Sequence, residues 1–399
     1  MTAMNEYERL YEILTTSLGL KTNDNVKWAE EQLKINFTPL LSAYKKMIET
    51  DNDEFFIDKN RKQSIIDSLS NSLAFLHIQE SNHFIQLLEN LNENDPTSFL
   101  IIPILFPINF PSTSFHTSGL IIHKQENKYI VTNVDKSMYF SLQSPAAYMS
   151  ISVNDKHAVA YFAQELFYNR RYDPSYFLPL ELLHKIVLFS EEKAASPLNI
   201  SMAKQHTGNC FPTELEAAFK IALFNCKQNI FSHPNHQPAL KPKWNPSPDS
   251  TLEMRKRLLE ALIIDVPQEH KQLFISVFND FYVHLKTHPL KEKLKKRYAS
   301  LEKIKIKLLY NPYNIYYKFR YFILKRKYQK IQKKIWWNQA LRDDMEPKNR
   351  PVLPEIRKEL PERSMPSRQN SIAVKKESAL ATISPTVQRN PPSFLYPER

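Results

Sequence analysis

Apolar positions across residues 5–95 recur at helical spacing. Tyr7, Leu10, Tyr11 and Leu14 form one face, and Trp28, Leu33, Phe37, Leu41 and Tyr44 continue the pattern. Ile65, Leu69, Leu73 and Leu76 keep the rhythm, as do Phe84, Leu87, Leu88 and Leu91, which predicts a helical region. The rhythm changes at Thr97. Residues 99–106, 115–123 and 128–134 are short apolar runs, the last two separated by the polar turn Lys124-Gln125-Glu126-Asn127. They predict adjacent strands, the second pair a hairpin. Residues 139–142 and 148–153 add shorter strand candidates. Helical spacing returns over 155–169, 180–191, 213–226, 251–264 and 268–286, with a loop rich in Pro, His and Asn over 227–250.

This pattern predicts an α+β chain in four parts: a helical N-terminal region (1–95), a mixed core (96–250), a helical basic arm (251–344) and a tail (345–399). The tail holds nine prolines between 347 and 397 and no periodic apolar face, the composition of a segment that does not pack. The longest apolar run, 98–110, is broken by Pro103 and Pro107 and is too short to span a bilayer. Residues 1–10 are polar and carry two glutamates, unlike a secretory signal. A soluble chain is therefore expected.

Charge changes the picture in one place. Between Lys291 and Lys334, sixteen Lys and Arg face two acids, a net of +14 within a chain whose total is +12. Leu294, Leu301, Leu308, Ile315 and Phe322 recur there every seven residues, interrupted by Pro312. Such an arm reads as a packed helix with a solvated basic face, or as a surface for anionic lipid through residues 291–337. Nucleic acid ranks below both, because no base-reading motif accompanies the charge.

The candidate chemistry gathers around Gln205-His206-Thr207-Gly208-Asn209-Cys210-Phe211-Pro212. A cysteine at the mouth of a helix meets free N–H groups and the positive dipole end, which favour a thiolate. Only two cysteines occur, Cys210 and Cys226, too far apart along one helix to bridge, and no zinc-type Cys/His spacing is present. Only three glycines occur in 399 residues, and one of them, Gly119, follows His116 by three positions. His116 begins a predicted strand. Asn133 and Asp135 end the next, two residues apart and so facing the same way. Either is available to orient the histidine.

This order resembles that of the adenain and Ulp-type cysteine proteases: His, an Asp or Asn at the end of the next strand, Gln, then Cys five residues later at a helix start. Relatives in that clan include deubiquitinases, deSUMOylases and acetyltransferases that pathogenic bacteria inject into host cells. The resemblance covers about residues 98–226. It implies a small papain-like core in which His116 is the general base, Asp135 or Asn133 its orienter, Gln205 an oxyanion donor and Cys210 the nucleophile, with no cofactor or metal. Two positions depart from the usual pattern: Thr117 stands where Trp is common, and Phe211 where Gly is common. The expected activity is that of a thiol protease, removing ubiquitin or a ubiquitin-like modifier from conjugates as a secreted bacterial effector in the host cytoplasm. An acetyl-CoA-dependent acyltransferase on the same scaffold, and a non-catalytic membrane-binding protein, are the alternatives.

Overall fold

The apolar run after Thr97 becomes β1 (Phe99–Pro107), followed by β2 (Phe115–Gln125), β3 (Lys128–Val134), β4 (Ala146–Ser152) and the short β5 (Ser196–Pro197). They form one antiparallel sheet in chain order. The computed structural model describes residues 6–20, 30–107, 115–141, 143–170, 180–204 and 210–345. Glu126 and Asn127 both take positive φ between β2 and β3, the geometry that a two-residue hairpin turn requires.

An antiparallel sheet of this kind leaves β1 as an edge, whose outward N–H groups need partners. Two helices supply them: α3 (Lys62–His77) and α5 (Lys156–Arg170). The N–H groups of Phe99 and Ile101 donate to the hydroxyls of Ser68 and Ser72 at 3.1 and 2.9 Å. Leu105 exchanges two bonds with the Asn169 side chain, its N–H to Oδ1 at 3.4 Å and its carbonyl from Nδ2 at 3.0 Å. The remaining outward position between these is Pro103, which has no N–H to satisfy. The proline that breaks the apolar run thus stands where the edge tolerates it.

The helices of the N-terminal region are α1 (Glu6–Ser17), α2 (Glu30–Glu49), α3 and α4 (Ser81–Glu89). Their buried residues belong to the same core as the sheet. The central helix is α7 (Cys210–Lys227), which follows α6 (Glu181–Phe189) in the chain. Tyr44 stacks on Phe219 of α7 at 4.7 Å, and Phe37 meets Phe211 edge-on at 4.8 Å. Phe56 and Trp244 close the aromatic cluster around Phe219. Residues 6–17 and 36–89 therefore wall in the helix that begins with Cys210.

The other face of α7 lies on β2. A Cβ added at Gly119 would stand 2.6 Å from Ala218 Cβ and 3.4 Å from the Glu214 carbonyl, closer than carbon atoms pack. Gly119 and Ala218 together set the separation between helix and sheet.

Three expectations are corrected. Residues 139–141 belong to a turn, not a strand. The helix expected at 213–226 starts three residues earlier, at Cys210 itself. After α8 (Ser250–Ile263), the basic arm is a hairpin of α9 (Gln268–Tyr310) and α10 (Ile315–Met345). Its seven-residue repeat is not one face. Leu301 and Leu308 lie within the hairpin, with Ile304, Leu324 and Tyr321, whereas Ile315 and Phe322 face solvent. The turn at 311–314 resets the helical phase. The tail expected to be disordered lies, beyond residue 345, outside the described residues.

Gly119→Ala is expected to destabilise the protein by about 1–3 kcal/mol, the usual cost of overpacking, and to lower reactivity at Cys210 by about 10²-fold through displacement of α7. Chemical denaturation and thiol labelling measure the two effects. Unchanged values for both would contradict the close approach.

Candidate active site

Cys210 opens α7, at the positive end of an 18-residue helix, with its side chain half-buried. His116 lies on β2 opposite Phe106 of β1. Pairing between β2 and β3 stops at Gly119 and Val134, so Asp135 leaves the sheet beside the part of β2 that carries His116. Its carboxylate Oδ1 is 2.9 Å from His116 Nε2, with both side chains buried.

Asp135 is held as firmly as it holds. Ser137 N–H donates to Oδ1 at 2.9 Å, and the N–H groups of Tyr139 and Phe140 donate to Oδ2 at 2.7 and 3.4 Å. An Asp that gathers the N–H groups of the residues following it is a turn former, and here the same turn aims the acid at the histidine. Four donors converge on it, so Nε2 carries the ring proton in the neutral imidazole. A side-chain hydrogen bond with Cys210 also acts on the ring. Phe106 and Tyr139 pack edge-on against the imidazole at 5.3 and 4.9 Å and fix its plane.

Burial works to lower the His116 pKa, but the hydrogen bonds and negative charge of Asp135 and Cys210 more than offset it and raise it to about 9. The ring is an imidazolium at neutral pH. A positive charge thus stands beside Cys210.

Asn133, the other candidate orienter, is on the wrong residue pair. Its Oδ1 accepts the Ser118 hydroxyl at 2.7 Å, and it opposes Leu120 in the β2–β3 register. Asn133 and Asp135 do face the same way, reaching Ser118 and His116, which lie two residues apart on β2; the pairing register gives the histidine to Asp135. Gln205 and the rest of the 205–209 segment lie outside the described residues.

Glu214 is, in the sequence alone, only an acid near a helix start. It follows Cys210 by four residues, the spacing that stacks side chains on one helix face. Its Oε2 accepts the Lys136 N–H at 2.8 Å, tying the Asp135 turn to the helix that carries Cys210. Oε1 is buried with no hydrogen-bond partner among the described residues. Burial pushes the Glu214 carboxyl up to about 7, against the Lys136 N–H and the positive His116. His116, Asp135 and Glu214 lie close enough to face a common point. The donors on Asp135 leave it no spare lone pair for a cation, and the cluster reads as a hydrogen-bonded histidine with a neutral acid beside it.

The second thiol is of another kind. Cys226, at the far end of α7, has its pKa pushed up to about 12 by burial and donates to backbone carbonyls of Pro96 and Ala222. His123, on β2 near Phe99 and Phe231, is pushed down to about 4 by burial and stays neutral.

The Glu214 shift has a defined sign. A carboxyl whose pKa is raised from 4.5 to about 7 on folding contributes stability that is full below pH 4.5 and lost as pH rises through 7, on the order of 3 kcal/mol. Glu214→Gln keeps an acceptor for Lys136 and removes this titration. Denaturation at pH 5 and pH 8 is expected to show a fall in stability that the variant lacks. Equal falls in both proteins would refute the neutral-acid assignment.

Comparison with known proteins returned no match to any family model, to any curated protein or to any solved structure.

Proposed function

We propose that this chain is a thiol-dependent acyl-cleaving enzyme, with Cys210 the nucleophile, His116 its general base and acid, and Asp135 the orienter. The observation that carries the reading is the position of one histidine between a buried carboxylate on Nε2 and a helix-mouth thiol. That is the base–orienter geometry nucleophilic catalysis needs. The resemblance to the Ulp-type papain-like proteases extends the proposal to the substrate: an isopeptide bond between the C-terminus of ubiquitin or a ubiquitin-like protein and a lysine. It extends likewise to the setting, a bacterial effector acting in a host cell and contributing to virulence. Among the described residues no helix is long and apolar enough to cross a membrane.

In this mechanism the Cys210 sulfur, as thiolate beside the His116 imidazolium, attacks the carbonyl carbon of the modifier's last residue. The C=O electrons move to oxygen, and the Cys210 N–H at the start of α7 supplies a donor to that oxyanion, with Gln205 a second by resemblance. When the carbonyl re-forms, the C–N bond breaks and His116 gives its proton to the departing lysine amine. Water then attacks the thioester, His116 takes its proton, and the acid leaves with Cys210 regenerated. Asp135, gripped by its own turn, keeps the ring in one orientation throughout. The positive His116 is needed for the amine-releasing step.

The test is covalent capture. Ubiquitin, SUMO and NEDD8 carrying C-terminal electrophiles are each incubated with the full chain, and at least one is expected to form a stable adduct that Cys210→Ala abolishes. No adduct with any of the three would overturn the modifier assignment, and an adduct surviving Cys210→Ala would overturn the nucleophile. Acetylation of a partner protein without any adduct would favour the acyltransferase. Asp135→Ala is expected to lower turnover by roughly 10²–10⁴-fold and Asn133→Ala to leave it nearly unchanged; the reverse order would exchange their roles. The rate is expected to fall as pH passes about 9, where His116 loses its proton.

A further inference from the structure

The α9–α10 hairpin carries two apolar stripes, and only one of them is used. Leu301, Ile304 and Leu308 of α9 pack with Tyr317, Tyr321 and Leu324 of α10. A second stripe leads to the turn and faces solvent. Leu309 is 76% exposed, Tyr310 88%, Tyr313 86% and Ile315 81%, and Tyr316 and Phe319 extend the stripe along α10. These residues follow one another at short steps on either side of the turn. Exposed apolar surface of this extent marks an interaction site.

The hairpin end also stands away from the main core. The last α9 side chain packed on that core is Phe281, and the hairpin's own small core starts at Leu301, twenty residues or about 30 Å further along the helix. Bases flank the exposed stripe: Lys303, Lys305 and Lys307 on α9, Lys318 and Arg320 on α10, all exposed. The single acid near them is Glu302, 4.0 Å from Lys305. The positive charge is otherwise unneutralised among the described residues of this end.

We propose that the tip of this hairpin, residues 306–322, enters the interface of an anionic bilayer, with its aromatic and aliphatic side chains seated at the headgroup boundary and its lysines and arginines on the lipid phosphates. The charge pattern calls for a negative partner. The apolar side chains distinguish which one. Leu309 and Ile315 offer nothing to a nucleic acid, which stacks bases on flat rings and pairs phosphates with cations. They stand on the protruding turn of a helix hairpin, not in a groove that would receive a peptide. Lipid headgroups part around such a projection, and tyrosines settle at that depth with their hydroxyls toward water. Interfacial entry without crossing matches helices too polar to span a membrane. The inference is independent of the chemistry at Cys210.

The test uses the full chain with vesicles of phosphatidylcholine alone or with about 30% phosphatidylserine, the anionic lipid whose surface potential attracts basic segments. Sedimentation is expected with the anionic vesicles and to be far weaker with the neutral ones. Combined Leu309→Ser, Tyr310→Ser and Tyr313→Ser is expected to weaken binding by about tenfold or more, since seating one leucine-sized side chain is already worth that factor. Because all three are exposed, circular dichroism and the melting temperature should be unchanged. Tyr313→Trp in the full chain reports depth by difference from the parent, whose own tryptophans are Trp28, Trp244, Trp336 and Trp337: the additional emission is expected to be quenched by lipids brominated near the headgroup end of the acyl chain. Replacing Lys303, Lys305, Lys307, Lys318 and Arg320 with Gln should remove the preference for phosphatidylserine. Protein that stays in the supernatant, or sediments equally well with the serine triple variant, would overturn the proposal. So would a Tyr313→Trp variant whose emission in excess of the parent's is left unquenched by brominated lipid. Binding of single-stranded RNA with vesicles ignored would reassign the surface to nucleic acid.

Discussion

Helix α7 lies on strand β2 at a distance that only a missing side chain permits. Gly119 meets Ala218 where a methyl group would overlap it, and everything at the candidate site inherits that spacing. His116 is three residues from the contact along the strand. Cys210 is two helical turns from it along the helix, and Glu214 one turn. The aromatic wall of Phe37, Tyr44, Phe56 and Trp244 presses the helix from its other side. The residues before the sheet thus help to position a reactive group contributed by residues after it.

Burying charge at such a place needs compensation. Asp135 has it from four donors, three of them backbone N–H groups of its own turn. Glu214 has, among the described residues, a single donor, from Lys136, and its carboxyl is pushed toward the neutral form. Two acids within a few ångströms of each other thus meet unlike surroundings. Both are buried, and they differ in the number of hydrogen bonds each accepts. The same turn that feeds Asp135 is anchored by Glu214 to α7, so orienter and nucleophile belong to one connected unit.

Much of this was legible in the chain. Strand runs at 99–106, 115–123 and 128–134 and the polar hairpin turn between the last two mapped closely onto β1, β2 and β3, because short apolar runs bounded by turn residues have few other solutions. The scarcity of glycine drew notice to Gly119, three residues after His116, but not to the helix it would meet. Other features had no local signal. Ser68, Ser72 and Asn169 cap the edge of β1 from distant helices, and no spacing rule links them to it. The choice between Asn133 and Asp135 depended on where β3 stops, a boundary fixed by pairing with β2. Glu214 was visible as a position one turn beyond Cys210, but its link to Lys136 required the fold. The heptad at 294–322 misled because a four-residue turn shifts the helical phase, leaving a stripe exposed that the sequence period assigned to packing.

The candidate site depends on the coupling of Cys210 to His116, and the second cysteine makes that coupling easy to read. Cys226 is buried with its pKa pushed up to about 12, so alkylation at ordinary pH reports Cys210 alone. The most direct measurement is the rate of iodoacetamide alkylation from pH 6 to pH 8.5, in the parent protein and in His116→Ala. An imidazolium that persists to about pH 9 beside the sulfur predicts that the parent is alkylated at least tenfold faster than the variant near pH 6.5. The variant's rate should climb with pH. Superimposable profiles for the two proteins would contradict the thiol–imidazole pair.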